Sequence, residues 1–294
     1  VTTGGASADD EAVVVRVSGP TATVRIGGEE REARLTPRLP GGPAVAGDRV
    51  RLRRTDDEPV VVGIAPRATR LDRADGLERR RRALVANADL LVAVAAVVQP
   101  ELRPRLIDRY LVAAHVGGLD AAVVVTKTDL PHDEGALRAI VDRYRAIGYP
   151  VLRGVAREPG LVEELRRLIG GRVAILAGHS GVGKSTLTRA LTGVERAVGA
   201  VSRKAGTGRH TTTDPRLIPL PGGGAVVDTA GVRTFHLPRL GRAELEAAFP
   251  EIAAAAADCR FRGCAHDGDA GCAVPGRVSE ARLDSYRRML RDMA

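Results

Sequence analysis

A short apolar run, Val173-Ala174-Ile175-Leu176-Ala177, passes directly into Gly178-His179-Ser180-Gly181-Val182-Gly183-Lys184-Ser185-Thr186, and Leu187, Ala190 and Leu191 follow at helical spacing. Five apolar residues before a glycine loop read as a buried parallel strand. Strand, loop with the spacing Gly-x4-Gly-Lys-Ser, and helix together form a context with a defined chemistry. Small residues let successive backbone N–H groups wrap phosphates, and the helix N-terminus adds its dipole. Lys184 is expected to reach the β and γ phosphates of a nucleoside triphosphate and Ser185 to hold Mg²⁺, with the whole stretch 178–186 as the cradle. A glycine-rich turn before a helix would explain the glycines but not the full nine-residue match.

A second element selects the base. Residues 121–125 form another apolar strand, followed by Thr126-Lys127-Thr128-Asp129. The carboxylate of Asp129 can accept from N1–H and N2–H₂ of guanine, a pairing adenine cannot offer, while the Lys127 stem can lie along the base. Ligands in open α/β sheets bind at such carboxyl ends of strands. Related guanine motifs carry Asn where this chain has Thr126, so the bond that ties base to phosphate loop is an open question. A surface lysine and a helix-starting aspartate remain the ordinary alternative for these residues.

A third strand-like run, residues 225–227, ends in Asp228-Thr229-Ala230-Gly231. Here a carboxylate near Mg²⁺ (Asp228) and a glycine N–H near the γ phosphate (Gly231) are expected. Gly208-Arg209-His210-Thr211-Thr212-Thr213 precedes it, and one of its hydroxyls, with Thr212 as the candidate, is expected to complete the Mg²⁺ shell. The water-orienting glutamine often found after the aspartate motif is replaced by Val232. His210 is the alternative candidate for orienting water, a solvent-facing loop histidine being the competing reading.

The base motif precedes the phosphate loop and Asp228 follows both, an order opposite to that of an ordinary Ras-like domain. The motifs imply a GTP-hydrolysing α/β domain whose chain has been cut and rejoined, with its switch segments at the end. GTP or GDP and Mg²⁺ are the expected ligands.

With 294 residues there is room for about two domains. After a short Gly/Ala/Asp tail, residues 13–17, 21–26, 32–35, 49–53 and 60–64 form short β-like runs separated by Gly, Pro, Ser and Asp turns. Five strands in so few residues suggest a small closed barrel, for which an OB-fold is the size-matched candidate and an SH3-like module the alternative. No aromatic residue precedes Tyr110, which argues against base stacking by this barrel. All three cysteines fall in Cys259-x4-Cys264-x-His266-x5-Cys272, a Cys₃His set suited to one structural zinc. A disulfide would leave one cysteine over and needs an oxidising compartment. No leader pattern or long apolar run is evident, so a cytoplasmic, non-membrane protein is expected. Residues 242–257 and 279–293 read as helices around the loop.

The formal net charge of +9 and a sequence pI of about 10.2 favour a polyanionic partner. Only three basic residues are lysines (Lys127, Lys184 and Lys204), so the arginines carry the surplus. They cluster at Arg79-Arg80-Arg81-Arg82, at Arg203-Lys204 with Arg209, and at Arg277, Arg282, Arg287, Arg288 and Arg291. Solvated helix faces could account for each cluster, but three of them beside linking elements favour RNA contacts.

These features resemble the circularly permuted bacterial GTPases called ribosome small subunit-dependent GTPase A. The resemblance rests on Val17-Ser18-Gly19-Pro20, Gly47-Asp48-Arg49-Val50, Ile107-Asp108-Arg109-Tyr110-Leu111, the permuted motifs, Gly231-Val232-Arg233-Thr234-Phe235 and the Cys/His loop. It implies an all-β OB-fold (11–70) after a disordered tail (1–10), a permuted P-loop GTPase domain (71–240) and a helical zinc-binding domain (241–294). It further implies a monomer that acts on the 30S subunit and its 16S rRNA late in maturation. Gly154-Val155-Ala156 departs from the serine-containing segment usual near the guanine O6, leaving the Val155 N–H as donor. A permuted GTPase of large-subunit assembly and an RNA-binding scaffold with a weak nucleotide site are the competing functions.

Overall fold

The computed structural model describes residues 10–75, 80–194, 215–229 and 237–293. Strands β1 (Asp10–Ser18), β2 (Thr21–Ile26), β3 (Glu29–Leu35), β4 (Arg49–Arg53) and β5 (Val60–Ile64) close a barrel in the order β1-β2-β3-β5-β4. Strand β4 pairs back onto β1, while β3 and β5 run parallel. This crossed order is that of the OB-fold, which decides between the two barrels the sequence allowed. Alternation makes the core: Val50 and Leu52 point inward from β4 and join Ala12, Val14, Ala22, Val24, Ala33 and Val61. Gly27 and Gly28 hold φ of 55° and 97° in the two-residue β2–β3 turn, a conformation open to glycine at low cost.

The Gly47-Asp48 turn fastens the barrel to the central part of the chain. A Cβ on Gly47 would lie 2.0 Å from the Ala86 carbonyl oxygen, so only glycine permits this approach. Asn87 Nδ2 donates to the Gly47 carbonyl at 2.9 Å, and buried Asp48 takes the Arg67 guanidinium at 2.7 Å. Strands β6 (Arg70–Asp75) and β7 (Arg80–Ala86) form an antiparallel ribbon between barrel and sheet, at a position where the sequence pattern gives no strand signal.

The central domain comprises β8 (Leu90–Ala96), α1 (Pro104–Val116), β9 (Asp120–Thr126), α2 (Glu134–Ile147), β10 (Val151–Arg153), α3 (Pro159–Ile169), β11 (Val173–Ala177), α4 (Lys184–Thr192), β12 (Arg216–Pro219) and β13 (Ala225–Asp228). Its sheet has the order β10-β9-β8-β11-β13-β12, parallel except for β12 against β13. All seven residues of β8 are buried, as expected for a strand with both faces covered. From β8 the chain moves outward through β9 to β10, and from β11 it builds the opposite side. The carboxyl ends of β8 and β11 therefore flank the switch point where open α/β sheets take ligands.

Helices α5 (Arg242–Ala247), α6 (Pro250–Ala256) and α7 (Glu280–Met293) complete the fold. The single helix expected over 242–257 is broken, because Pro250 removes a backbone donor and starts α6 afresh. Fully buried Phe249 fills the break and meets the Tyr286 ring edge-on, with centroids 5.6 Å apart. Among the described residues no helix is long and apolar enough to cross a membrane.

Candidate nucleotide site and metal centre

The phosphate loop leaves β11 and becomes α4 at Lys184, the strand, loop and helix expected from sequence. Its glycines are required by geometry: a Cβ on Gly178 would stand 2.2 Å from the Val94 carbonyl oxygen, and Gly183 holds φ at 96°. Lys184 Nζ donates to the carbonyls of Gly178 and His179 at 2.7 and 2.8 Å, which folds its ammonium over the loop. Burial pushes the Lys184 pKa down, with the charge of Asp228 opposing the shift. A partly desolvated ammonium beside a ring of small residues is a site that an incoming phosphate would stabilise. Around it, His179, Ser180, Gly181 and Ser185 are exposed, Thr186 is half-buried and Val182 is buried.

Thr126 resolves the question left by the missing asparagine. Its hydroxyl lies 2.6 Å from the Val182 carbonyl oxygen and 3.1 Å from that of Ala95, entirely buried. The proton can serve one acceptor at a time, and the shorter contact is the one to the phosphate loop. Threonine thus ties the base motif to the loop with its hydroxyl. Gly183 packs against the same side chain, and a Cβ there would come within 3.5 Å of Thr126 Oγ1.

Lys127 takes φ of 61° and donates from Nζ to the Gln99 carbonyl, anchoring the end of its stem at the entry to α1. Thr128 is half-buried, and Asp129 is exposed with the Arg157 guanidinium 3.9 Å away, a loose pair that leaves the carboxylate open. Val155 and Ala156 are buried nearby in the chain, and Ala156 Cβ faces Gly183. Asp228 ends β13 beside β11 and is 1% exposed, and Thr229 donates from its hydroxyl to the Leu176 carbonyl at 2.9 Å. Thr126, Val182, Lys184 and Asp228 are brought together, whereas His210, Thr212 and Gly231 lie outside the described residues. A Mg²⁺ ion, which Ser185 and Asp228 would hold, would supply neutralisation of phosphate charge.

The second site is the Cys/His loop, where the ligand atoms of Cys259, Cys264, His266 and Cys272 all lie within 4.8 Å of one another. With Zn–S near 2.3 Å and Zn–N near 2.0 Å, a tetrahedron has S···S edges of about 3.8 Å and S···N edges of about 3.6 Å. Cys259 and Cys272 sulfurs are 3.9 Å apart, and His266 Nδ1 lies 3.7 and 3.4 Å from them. The four donors fit a closed zinc site with no position left for catalysis. His266 Nε2 faces Glu246 Oε2 at 3.0 Å, which fixes Nδ1 as the metal-facing nitrogen. Arg287 of α7 donates from Nε and Nη2 to the His266 carbonyl at 2.7 and 2.5 Å, holding the residue at its φ of 57°.

One arginine assigned from sequence to a nucleic-acid surface is not on a surface. Arg282 is 1% exposed and joins Asp108 of α1 and Glu251 of α6, each at 2.6 Å, with Phe249 beneath its guanidinium at 4.3 Å. Tyr144 also donates to Asp108, at 2.8 Å. A charge run gives no sign of such burial. The signal available was Asp108 itself, a carboxylate among Ile107, Tyr110 and Leu111 on the buried face of α1. Glu246 and Arg287 carried no local signal, since their roles arise only when α5 and α7 pack around the loop.

A family model described as RsgA GTPase matches residues 64–238. A small ribosomal subunit biogenesis GTPase RsgA from Azotobacter vinelandii is 41% identical over 255 residues, covering 84% of this chain and 74% of that protein. The protein of the same description from Pseudomonas fluorescens is 41% identical over 239 residues, covering 79% and 69%. Among solved structures, YjeQ from Thermotoga maritima superposes with a TM-score of 0.75 at 28% identity, covering 97% of this chain and 98% of that one. YloQ, a circularly permuted GTPase, superposes with a TM-score of 0.74 at 23% identity, over 100% of this chain and 98% of that one.

Proposed function

The chain belongs to the RsgA GTPase family, and on that premise we propose that it hydrolyses GTP in the biogenesis of the small ribosomal subunit. It binds the 30S subunit and 16S rRNA with GTP in place and leaves after subunit-stimulated hydrolysis. The observation that carries the GTP assignment is the 2.6 Å contact between Thr126 Oγ1 and the Val182 carbonyl oxygen, which joins a base-reading element to a phosphate-binding one.

In this proposal Asp129 reads guanine, Lys127 flanks the base, and Thr126 and Thr128 hold the motif. Residues 178–186 bind the phosphates, Lys184 and the Gly231 N–H stabilise the γ phosphate, and Ser185, Asp228 and Thr212 serve Mg²⁺. His210 orients the attacking water, a role supported by its sequence position alone. The proposed domain limits are 11–70, 71–240 and 241–294 after a tail of 1–10; residues 1–9 lie outside the described residues, Asp10 already pairs with Leu52 in β1, and β6 spans the 70/71 limit. The metal of the Cys₃His cluster is one structural zinc, and the protein acts as a cytoplasmic monomer.

Large-subunit assembly is disfavoured by the relatives at 41% identity, both described as small-subunit biogenesis GTPases. Co-sedimentation with purified 30S subunits tests the cycle: a non-hydrolysable GTP analogue should retain the protein and GDP should release it. Equal retention with both would refute the nucleotide-controlled step. Single-turnover cleavage by His210→Ala tests the water-orienting role, where an unchanged rate with normal GTP binding would remove it.

A further inference from the structure

The chain is poor in aromatic residues, with no Trp, three Phe and four Tyr. Phe249 and Tyr110, Tyr144 and Tyr286 are buried and Tyr149 packs against the core, whereas Phe261 is 55% exposed. Only one other large apolar side chain among the described residues is exposed, Val194 at 50%, which follows α4 far along the chain from Phe261. Phe261 sits in the metal-binding loop between Cys259 and Cys264. Its backbone is fixed there by loop bonds, Arg260 N to the Gly271 carbonyl at 3.1 Å and Cys264 N to the Phe261 carbonyl at 3.3 Å. A close approach of Arg260 to Gly271, whose Cβ would stand 3.0 Å away, packs this part of the loop.

Charge around the ring is one-sided. Arg260 and Arg262 are exposed and make no ion pair among the described residues, and the Arg260 guanidinium lies 5.3 Å from the ring centroid. Acids of the same loop are already engaged. Asp258 pairs with Arg277, Asp267 with Arg287 and Arg291, and Asp269 accepts from Ala265 N at 2.7 Å. An exposed ring with the Arg260 guanidinium over one face and Arg262 next to it in the chain, with no second large apolar side chain exposed on its loop, complements a flat base flanked by phosphates better than the apolar core of a protein interface.

We infer that Phe261 is a stacking platform for an unpaired nucleobase of single-stranded RNA, with Arg260 and Arg262 receiving the adjoining phosphates. The inference rests on the RNA-directed function proposed above and adds a residue and a mode of contact to it. It also moves base recognition away from the barrel, which contains no aromatic residue at all. The role of the metal cluster is then to hold an otherwise unpacked ring rigid, so that little ordering entropy is lost on binding.

Absence of tryptophan makes a direct test available. In the zinc-loaded 294-residue chain, Phe261→Trp introduces a sole tryptophan at the ring's position. A single-stranded oligoribonucleotide should quench its fluorescence saturably, and a duplex of equal phosphate content should not. Phe261→Ala should weaken oligoribonucleotide binding by about 5- to 150-fold, the range for one stacked base. Phe261→Leu should not restore it, and Phe261→Tyr should. Metal content must stay at the wild-type level in every variant, so that a lost loop is not mistaken for a lost stack. An unquenched tryptophan at saturating RNA, or Phe261→Leu binding as well as wild type, overturns the inference. So does quenching by a small-subunit protein with none by RNA. If GTP-dependent 30S retention persists while the tryptophan stays unquenched, this inference fails and the proposed function stands.

Discussion

Arg282 Nη1 lies 2.6 Å from Asp108 Oδ1 with both side chains almost wholly removed from water, so the last helix of the chain is locked to the helix that comes after the first strand of the GTPase sheet. The pair is not isolated, because Glu251 shares the guanidinium and Tyr144 donates to Asp108. Removing one partner of a buried pair leaves an uncompensated charge and costs about 3–5 kcal/mol. Asp108→Ala is expected toward the lower end, since Glu251 remains. Arg105→Ala breaks a far more exposed pair with Asp284 and should cost about 0–1 kcal/mol. Urea unfolding of the two variants distinguishes them, and equal losses would contradict the lock.

Thr126→Val preserves shape and removes the hydroxyl that joins the base motif to Val182. The buried Val182 carbonyl then loses this donor, and GDP affinity should fall by about tenfold, roughly 1.4 kcal/mol. Isothermal titration with GDP provides the measurement. Asp129→Asn should act differently, trading guanine for xanthine, whose O2 accepts from the new amide.

Tyrosine ionisation gives a pH signature. Burial raises the pKa of Tyr110 to about 12 and raises those of Tyr149 and Tyr286, and burial followed by the charge of Asp108 raises that of Tyr144. Unfolded tyrosine titrates near pH 10, so above about that value the unfolded chain releases protons the folded chain keeps. Stability from these groups is complete below about pH 10 and is lost as pH rises toward the folded values. Spectrophotometric titration should show Tyr110 and Tyr144 forming tyrosinate only together with alkaline unfolding. Ionisation of all four tyrosines near pH 10 with the fold intact would contradict this burial.

Glu246 orients His266, so Glu246→Gln should lower zinc affinity by about 10- to 100-fold in competition with a chromogenic chelator. Metal removal should loosen α5 to α7 while leaving amide protection in β1–β5 unchanged, because the barrel shares no ligand with the cluster. Uniform loss of protection would contradict a local structural role.

Much of this architecture was legible because its causes are local. The phosphate loop, the alternating strands of the barrel and the Cys₃His spacing each obey short-range rules, and the structure places them as those rules require. Features hidden in the sequence depend on partners far along the chain. Arg282 meets Asp108 across the whole GTPase domain, and the residues around Arg282 do not distinguish a buried arginine from a solvated one; only Asp108, a carboxylate on the apolar face of α1, points to a buried partner. Whether Thr126 could replace the usual asparagine is not decided by the sequence, because its hydroxyl suffices only when an acceptor such as the Val182 carbonyl, from a distant loop, stands 2.6 Å away. The β6–β7 ribbon is hidden in the sequence because the arginines of β7 form a charge cluster without an alternating apolar pattern.

The central claim is that small ribosomal subunits control GTP hydrolysis by this chain. Its most direct test is the GTP turnover of the purified protein alone, with 30S subunits and with 50S subunits. Slow turnover alone, accelerated by 30S and left unchanged by 50S, is the predicted result. Acceleration by 50S alone, or by neither, would contradict the account.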